Sequence, residues 1–452
     1  MKKENASTKS VQEFRDAVVV SLKVGSSVLL NTIDALAAGP RLSSPVELTL
    51  SGLFAYDWNS LYQALRRAEG QLAATIEQDD WLRDLRAARL NWLKDHPPNA
   101  LRDELGQWRV RILDASNYNR PKTRTVEVGY VHGADGMKPG HGLSLLSERV
   151  GAGSWTLPLE IAWFSPQSDP LNFGAEQIEQ FVKQHGWLPE QVLAVDAQYT
   201  VAPFLKPVHE CGVSVLGRVR NNRCFYLPPP EYSGFGRPAV RGRKIKLNDA
   251  RTLPPVDEQE DWQLEGGASV EVSRWNDLRM KQWPTQKLSL YRVIEYKADG
   301  KMRYKRPLWL VFVAAAAQRS SPTPRQAEAI YDERFSIEHS IRFLKGELGM
   351  TAGQFNGPAA EGRVQVWIEL AATAFWHLWV LRGMAAAHTE KLPPWWRSGK
   401  LTPGAVKRMA AGLLMGFGWS KPQPKPRGKS PGRVTGMKLA PRKRFKVYRK
   451  TA

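Results

Sequence analysis

Cysteine is almost absent. Two thiols, Cys211 and Cys224, in 452 residues make neither a disulfide framework nor a zinc-site spacing, so a reducing compartment is expected. No GxxxxGK[ST] phosphate cradle occurs, which leaves nucleotide hydrolysis without its usual loop. No nucleophile-elbow motif surrounds Ser144, so serine-hydrolase chemistry has no support either. A secretory pattern is also missing: Glu4, Glu13 and Asp16 come too early, and Lys23 interrupts the apolar run. One apolar stretch, residues 364–381, is long enough to suggest a membrane span. Along it, however, Gln365, Glu369, Thr373 and His377 repeat every four residues on one face. That stripe predicts a helix packed inside a soluble, intracellular protein.

Acids are missing from the last 32 residues. Residues 421–452 hold 12 Lys and Arg and no Asp or Glu, out of 65 basic and 44 acidic residues in the chain. A moderately basic body with a strongly basic tail points to a polyanion partner, most commonly nucleic acid. Acidic membrane lipid is the rival, but it usually comes with an amphipathic or lipidated anchor that the sequence does not show. The tail itself, rich in Pro, Gly, Lys and Arg, is expected to be disordered until it meets a partner and to add salt-dependent affinity.

What is present divides along the chain. Residues 1–100 read as a helical N-terminal DNA-binding region, with Asp57 as one cap and Ser44 and Pro45 opening another helix. Two short helices here are compatible with a helix-turn-helix or with a plain helical module. Residues 101–220 change texture. Strand-like runs at 108–114, 125–132 and 156–164 precede a helix at 175–185, a doubly apolar strand at 191–196 and a last strand at 212–219. Residues 221–306 read as a β-rich insertion carrying a basic loop that includes Arg241, Arg243 and Lys244. Residues 307–390 return to a strand and then helices, and 391–452 form a C-terminal helical region with the basic tail.

Asp114 and Asp196 each follow an apolar strand. Side by side, as the first and fourth strands of a ribonuclease-H-like sheet, those strands would bring both carboxylates to one place. Each also has a simpler reading, Asp114 as an Asx-turn and Asp196 as a strand-end cap. Further on, Tyr331, Arg334, Glu338 and Lys345 fall on one side of a predicted helix, all within about 40° of Glu338 at 100° per residue. Ile330, Ile337, Ile341, Leu344 and Leu348 form a separate apolar stripe. Glu338 there is either an intrahelical partner of Arg334 or a third hard oxygen ligand. Three carboxylates suit Mg²⁺ or Mn²⁺, and two such ions could activate a water or a 3′-hydroxyl for in-line attack on phosphorus.

The spacing from Tyr331 over two residues to Arg334, three to Glu338 and six to Lys345 resembles the Tyr-Arg-Glu-Lys signature of bacterial insertion-sequence DDE transposases. The resemblance covers residues 10 to 450. It implies an α/β fold with a ribonuclease-H-like core interrupted by the β-rich insertion. It further implies Mg²⁺- or Mn²⁺-dependent cleavage at transposon ends and strand transfer into target DNA, with Asp114, Asp196 and Glu338 as metal ligands. Tyr331, Arg334 and Lys345 would face phosphates of double-stranded DNA, with Arg342, Arg241, Arg243 and Lys244 as further DNA contacts. A homodimeric synaptic complex in a bacterial, nucleoid-associated cytoplasmic setting, with no membrane partner, also follows from it. A regulator without catalysis and a nuclease without strand transfer are the alternatives.

Other features carry less. Trp262, Trp275 and Trp283 in the insertion could stack on an extruded base, or be core tryptophans of a small β domain. His132 and His141 flank a Gly-rich stretch that reads as a hairpin loop rather than a metal site.

Overall fold

A computed structural model of the chain describes residues 2–73, 80–97, 102–120, 128–133, 136–151, 155–165, 167–232, 234–316, 318, 320–355, 360–388, 401–417 and 436. The basic tail, Gly436 apart, lies outside the described residues. The first five helices are α1 (Lys2–Leu22), α2 (Ser26–Ala38), α3 (Pro45–Leu50), α4 (Trp58–Ala73) and α5 (Asp80–Asp95). Strands β1 (Arg109–Asn119), β2 (Gly129–Gly133), β3 (Gly136–Arg149) and β4 (Thr156–Phe164) follow. Next come α6 (Pro170–His185), β5 (Gln191–Val195), α7 (Ala202–Glu210) and β6 (Ser214–Val219). The insertion contributes β7 (Cys224–Tyr226), β8 (Lys244–Lys246), β9 (Glu258–Gln263), β10 (Ser269–Met280) and β11 (Trp283–Tyr296). The chain continues through β12 (Leu308–Val313), α8 (Pro324–Glu333), α9 (Ser336–Gly346), α10 (Ala360–Ala387) and α11 (Pro403–Leu414).

Two compact units emerge. A sheet unit takes Ala100–Asp114 and Asp169–Phe335; a helical unit takes Met1–Asn99, Ala115–Ser168 and Ser336–Ala452. Strand β1 therefore contributes its first half to one unit and its second half to the other.

In the sheet unit β5 is central. All five of its residues are buried, as its unbroken apolar run predicts for a strand covered on both faces. It pairs in parallel with β1 from Arg109↔Gln191 to Leu113↔Val195, and in parallel with β6 from Val192↔Ser214 to Val195↔Gly217. Parallel neighbours need a crossover, and α7 supplies it between β5 and β6. Beyond β6 the order runs β12, β11, β10, with β9 and the β7–β8 pair attached to β10. Helix α8 starts on a capping box, Thr323 and Gln326 exchanging side-chain and backbone hydrogen bonds, with Pro324 in the first turn.

The helical unit is organised around α10, against which α1, α2, α4 and α11 pack. By length and composition α10 could cross a membrane, yet 94% of its most apolar window is buried within the protein. Its polar stripe is buried with it. Glu369 meets Arg86 and Arg89 of α5 at 2.7 Å each, Gln365 Nε2 donates to Ile161 O at 2.9 Å, and His377 lies 3.2 Å from Asp34 of α2. The same unit holds the β2–β3 hairpin and the β3–β4 pair.

Three expectations change. Four strands, not three, precede α6, because the Gly-rich stretch around His141 is itself the start of β3. His141 is buried there, 3.3 Å from Arg120 Nη1, and burial together with that guanidinium lowers its pKa to about 4. Asp114 does not end its strand, because β1 continues to Asn119, and neither the strand end nor the Asx-turn describes it. Finally, residues 331–345 are not one helix. Arg334 N–H reaches Tyr331 O and Phe335 N–H reaches Asp332 O, both three residues back. This tighter turn separates α8 from α9 and ends the 100° progression.

Candidate functional site

The sheet unit brings Asp114, Asp196, Tyr331 and Arg334 together. The register Leu113↔Val195 makes Asp114 and Asp196 the next residues on two parallel neighbours, whose backbones lie about 4.8 Å apart. After Asp196 the chain turns sharply: Tyr199 N–H donates to Asp196 O, and Thr200 Oγ1 to Arg218 O at 2.7 Å. Gly217 of β6 makes that turn possible, since a Cβ there would stand 2.4 Å from the Thr200 methyl and 2.6 Å from Val195 Cγ2. The second acid is thus fixed at the end of β5 by its own turn and by a neighbouring strand.

Arg334 reaches this pair from the end of α8. Its Nη1 lies 3.3 Å from Asp114 Oδ2, with side-chain exposures of 6% and 18%. The guanidinium also lies over Phe335, 4.8 Å from the ring centroid, and 5.6 Å from that of Tyr331. Burial would lower the Arg334 pKa, but Tyr331, Asp114 and Asp196 outweigh it and the value is raised. Burial and the Asp196 charge raise the Tyr331 phenol, against the lowering influence of Arg334 and Arg218. Tyr199, which sequence reasoning missed, responds to both acids: burial first, then Asp114, and Asp196 to a lesser degree, raise its pKa. The signal was the short Asp196 to Tyr199 step, which a strand-based reading passes over.

Glu338, Arg342 and Lys345 belong to the helical unit, on α9. Glu338 and Arg342 are exposed. Lys345 is held by β1: its ammonium donates to Ser116 Oγ at 2.7 Å and to Asn117 O, and burial lowers its pKa to about 8. Arg241, Arg243 and Lys244 lie at the far end of the sheet unit's strand order, around β8. Of the three tryptophans, Trp275 is core, 2% exposed and bonded to Pro254 O. Trp262 lies under the Arg325 guanidinium and Trp283 is edge-on to His209.

Carboxylates at neighbouring strand positions, one already drawn to a guanidinium, are a hard-oxygen pair suited to a divalent cation. At Asp114 the positive charge in place is the Arg334 guanidinium. Among the described residues no three His, Cys, Asp or Glu side chains are grouped to hold an ion.

Comparison with known proteins adds a segment-level finding and distant structural likeness. No curated protein matches the chain. The cryo-EM structure of a piggyBac transposase synaptic complex with hairpin DNA is similar at 11% identity and a TM-score of 0.38, over 92% of this chain and 71% of that one. Residues 172–277, which include Asp196 and run from α6 into β10, match the family model described as DDE superfamily endonuclease.

Proposed function

We propose that the chain is a DDE-type DNA transposase that binds double-stranded transposon ends, cuts them and joins them to target DNA. The observation that carries this reading is the placement of Asp114 beside Asp196 on parallel β1 and β5, with Arg334 against the first acid. The endonuclease-like segment around Asp196 supports it. So do the parallel pairings of β1 with β5 and β5 with β6 within the sheet unit, which a ribonuclease-H-like core also has.

Asp114, Asp196 and Glu338 would hold Mg²⁺ or Mn²⁺, two ions in the full reading. Bound there, the metal supplies Lewis-acid polarisation of the phosphate and activation of a water or 3′-hydroxyl. Arg334 orients Asp114, and its guanidinium would be available to a phosphate oxygen if a cation were held by the carboxylates. Tyr331 packs against that guanidinium and fixes its direction. Lys345 braces β1 just beyond Asp114. Arg342, Arg241, Arg243 and Lys244 supply further contacts to the DNA backbone, and two copies of the chain hold two ends in the bacterial cytoplasm.

The test uses the full chain with labelled duplex carrying the DNA that flanks its own coding region, a target plasmid and Mg²⁺. Asp114→Asn, Asp196→Asn and Glu338→Gln should each lose on the order of a hundredfold or more of cleavage and joining. Full activity in both Asp196→Asn and Glu338→Gln would sink the reading. An endonuclease without strand transfer is the second reading, favoured by the wording of the matched family. It yields cut ends and no joined product in the same assay.

A further inference from the structure

The segment between β7 and β8 presents three large apolar side chains to solvent within nine residues: Tyr232 is 56% exposed, Phe235 90% and Val240 51%. Phe235 stands between Gly234 and Gly236, whose φ angles are +86° and +71°. No heavy atom lies within 4 Å of where a Cβ would sit on either glycine. Glycine is therefore needed for the backbone path and not for close packing. That path turns an aromatic ring outward where burial would favour turning it in.

The base of the loop is fastened. β7 and β8 pair from Cys224↔Lys246 to Tyr226↔Lys244. Gly242 N–H then donates to Leu227 O, and Leu227 N–H to Arg243 O. The Arg241 guanidinium lies 5.0 Å over the Tyr226 ring, and Tyr232 Oη donates to Gly236 O at 3.0 Å. Charge is one-sided as well: from 231 to 246 Arg237, Arg241, Arg243, Lys244 and Lys246 face the single acid Glu231.

We propose that this loop is a DNA wedge, in which Phe235 enters the base stack of a duplex while the flanking cations take the phosphates on either side. The proposal rests on the reading of the chain as a DNA-acting protein and adds to it a specific point of entry. A single aromatic tip set among cations suits a stack of bases bordered by phosphates. Anionic lipid is engaged instead by a broad apolar helix face, which this fastened strand pair does not offer.

Purified full-length chain is titrated onto a 40-base-pair duplex containing a central 2-aminopurine, whose fluorescence rises when its neighbours unstack. Anionic phosphatidylserine vesicles are titrated in parallel. The parent should bind the duplex with a fluorescence rise. Phe235→Ala should bind on the order of tenfold more weakly and without that rise, while Phe235→Trp keeps both. Arg237→Ala should weaken binding and flatten its salt dependence, with the fluorescence rise kept at saturation. Phe235 is exposed, so thermal unfolding of Phe235→Ala should match the parent, which separates lost insertion from lost folding. Equal affinity and an equal fluorescence rise in Phe235→Ala overturn the wedge and leave the nuclease reading intact. Loss of vesicle binding alone in that variant overturns it in favour of lipid. A parent that binds no duplex overturns both readings together.

Discussion

Arg334 Nη1 lies 3.3 Å from Asp114 Oδ2, with both side chains largely out of water. The guanidinium thus neutralises a carboxylate that would otherwise be half-desolvated beside a second acid, Asp196. Removing it should leave Asp114 and Asp196 repelling each other, with a loss of about 2–4 kcal/mol in stability for Arg334→Ala. The same change exposes the pair to a divalent ion. Thermal unfolding with and without millimolar Mg²⁺ should therefore show a larger metal-induced rise in melting temperature for Arg334→Ala than for the parent. Equal rises would mean that Arg334 and the metal do not share Asp114.

Glu328 on α8 gives a pH signature. Burial, and then the Asp332 charge, raise its pKa to about 7 against the opposing pull of Arg102. A carboxyl raised in the folded state binds its proton more tightly there than in the unfolded chain. Its contribution to stability is complete below about pH 4.5 and is lost as pH rises through about 7. Glu328→Gln should remove that loss. Chemical denaturation at pH 8 should find the variant more stable than the parent by about 1–2 kcal/mol, allowing for partial solvent access. At pH 4.5 the two should coincide, and a gap of the same size at both values would rule the titration out.

Legibility from sequence followed periodicity. The run 156–164 returned as β4 and 191–195 as β5 because their apolar patterns are local and uninterrupted. The stripe Gln365, Glu369, Thr373 and His377 was visible as a stripe, but its partners Arg86, Arg89 and Asp34 lie hundreds of residues away in sequence. The Tyr331 to Lys345 spacing was visible too, yet the assumption of one continuous helix failed. Two hydrogen bonds to residues three back are enough to break the rotation, and no residue type in Glu333-Arg334-Phe335 announces them. Asp114 looked terminal because apolar residues stop there. The strand continues on backbone pairing to β3, which side-chain periodicity does not report.

The buried ion cluster of α10 is the strongest test of how the helical unit is held. Glu369 is 0% exposed and meets Arg86 and Arg89, which are 13% and 1% exposed. Burial would raise its pKa, but the two guanidiniums outweigh it and the value is lowered. Its contribution to stability is therefore present above the usual carboxylate pKa and is lost as pH falls through the lowered one. Glu369→Gln keeps the shape and removes the charge, so that the buried Arg89 loses the carboxylate it meets at 2.7 Å while Arg86 keeps Glu160 at 3.6 Å. Denaturant unfolding at pH 7 should show a loss of about 3–5 kcal/mol, because the buried Arg89 loses its counter-charge and Arg86 loses the nearer of its two carboxylates. Replacing Glu369 and Arg89 by leucine together should recover part of that loss, since the pair is then removed and not merely broken. The gap between Glu369→Gln and the parent should narrow as pH falls through that lowered value. If the single change costs less than about 1 kcal/mol at pH 7, the cluster is not what fixes α5 against α10, and apolar packing of α1, α2 and α4 must carry that contact alone.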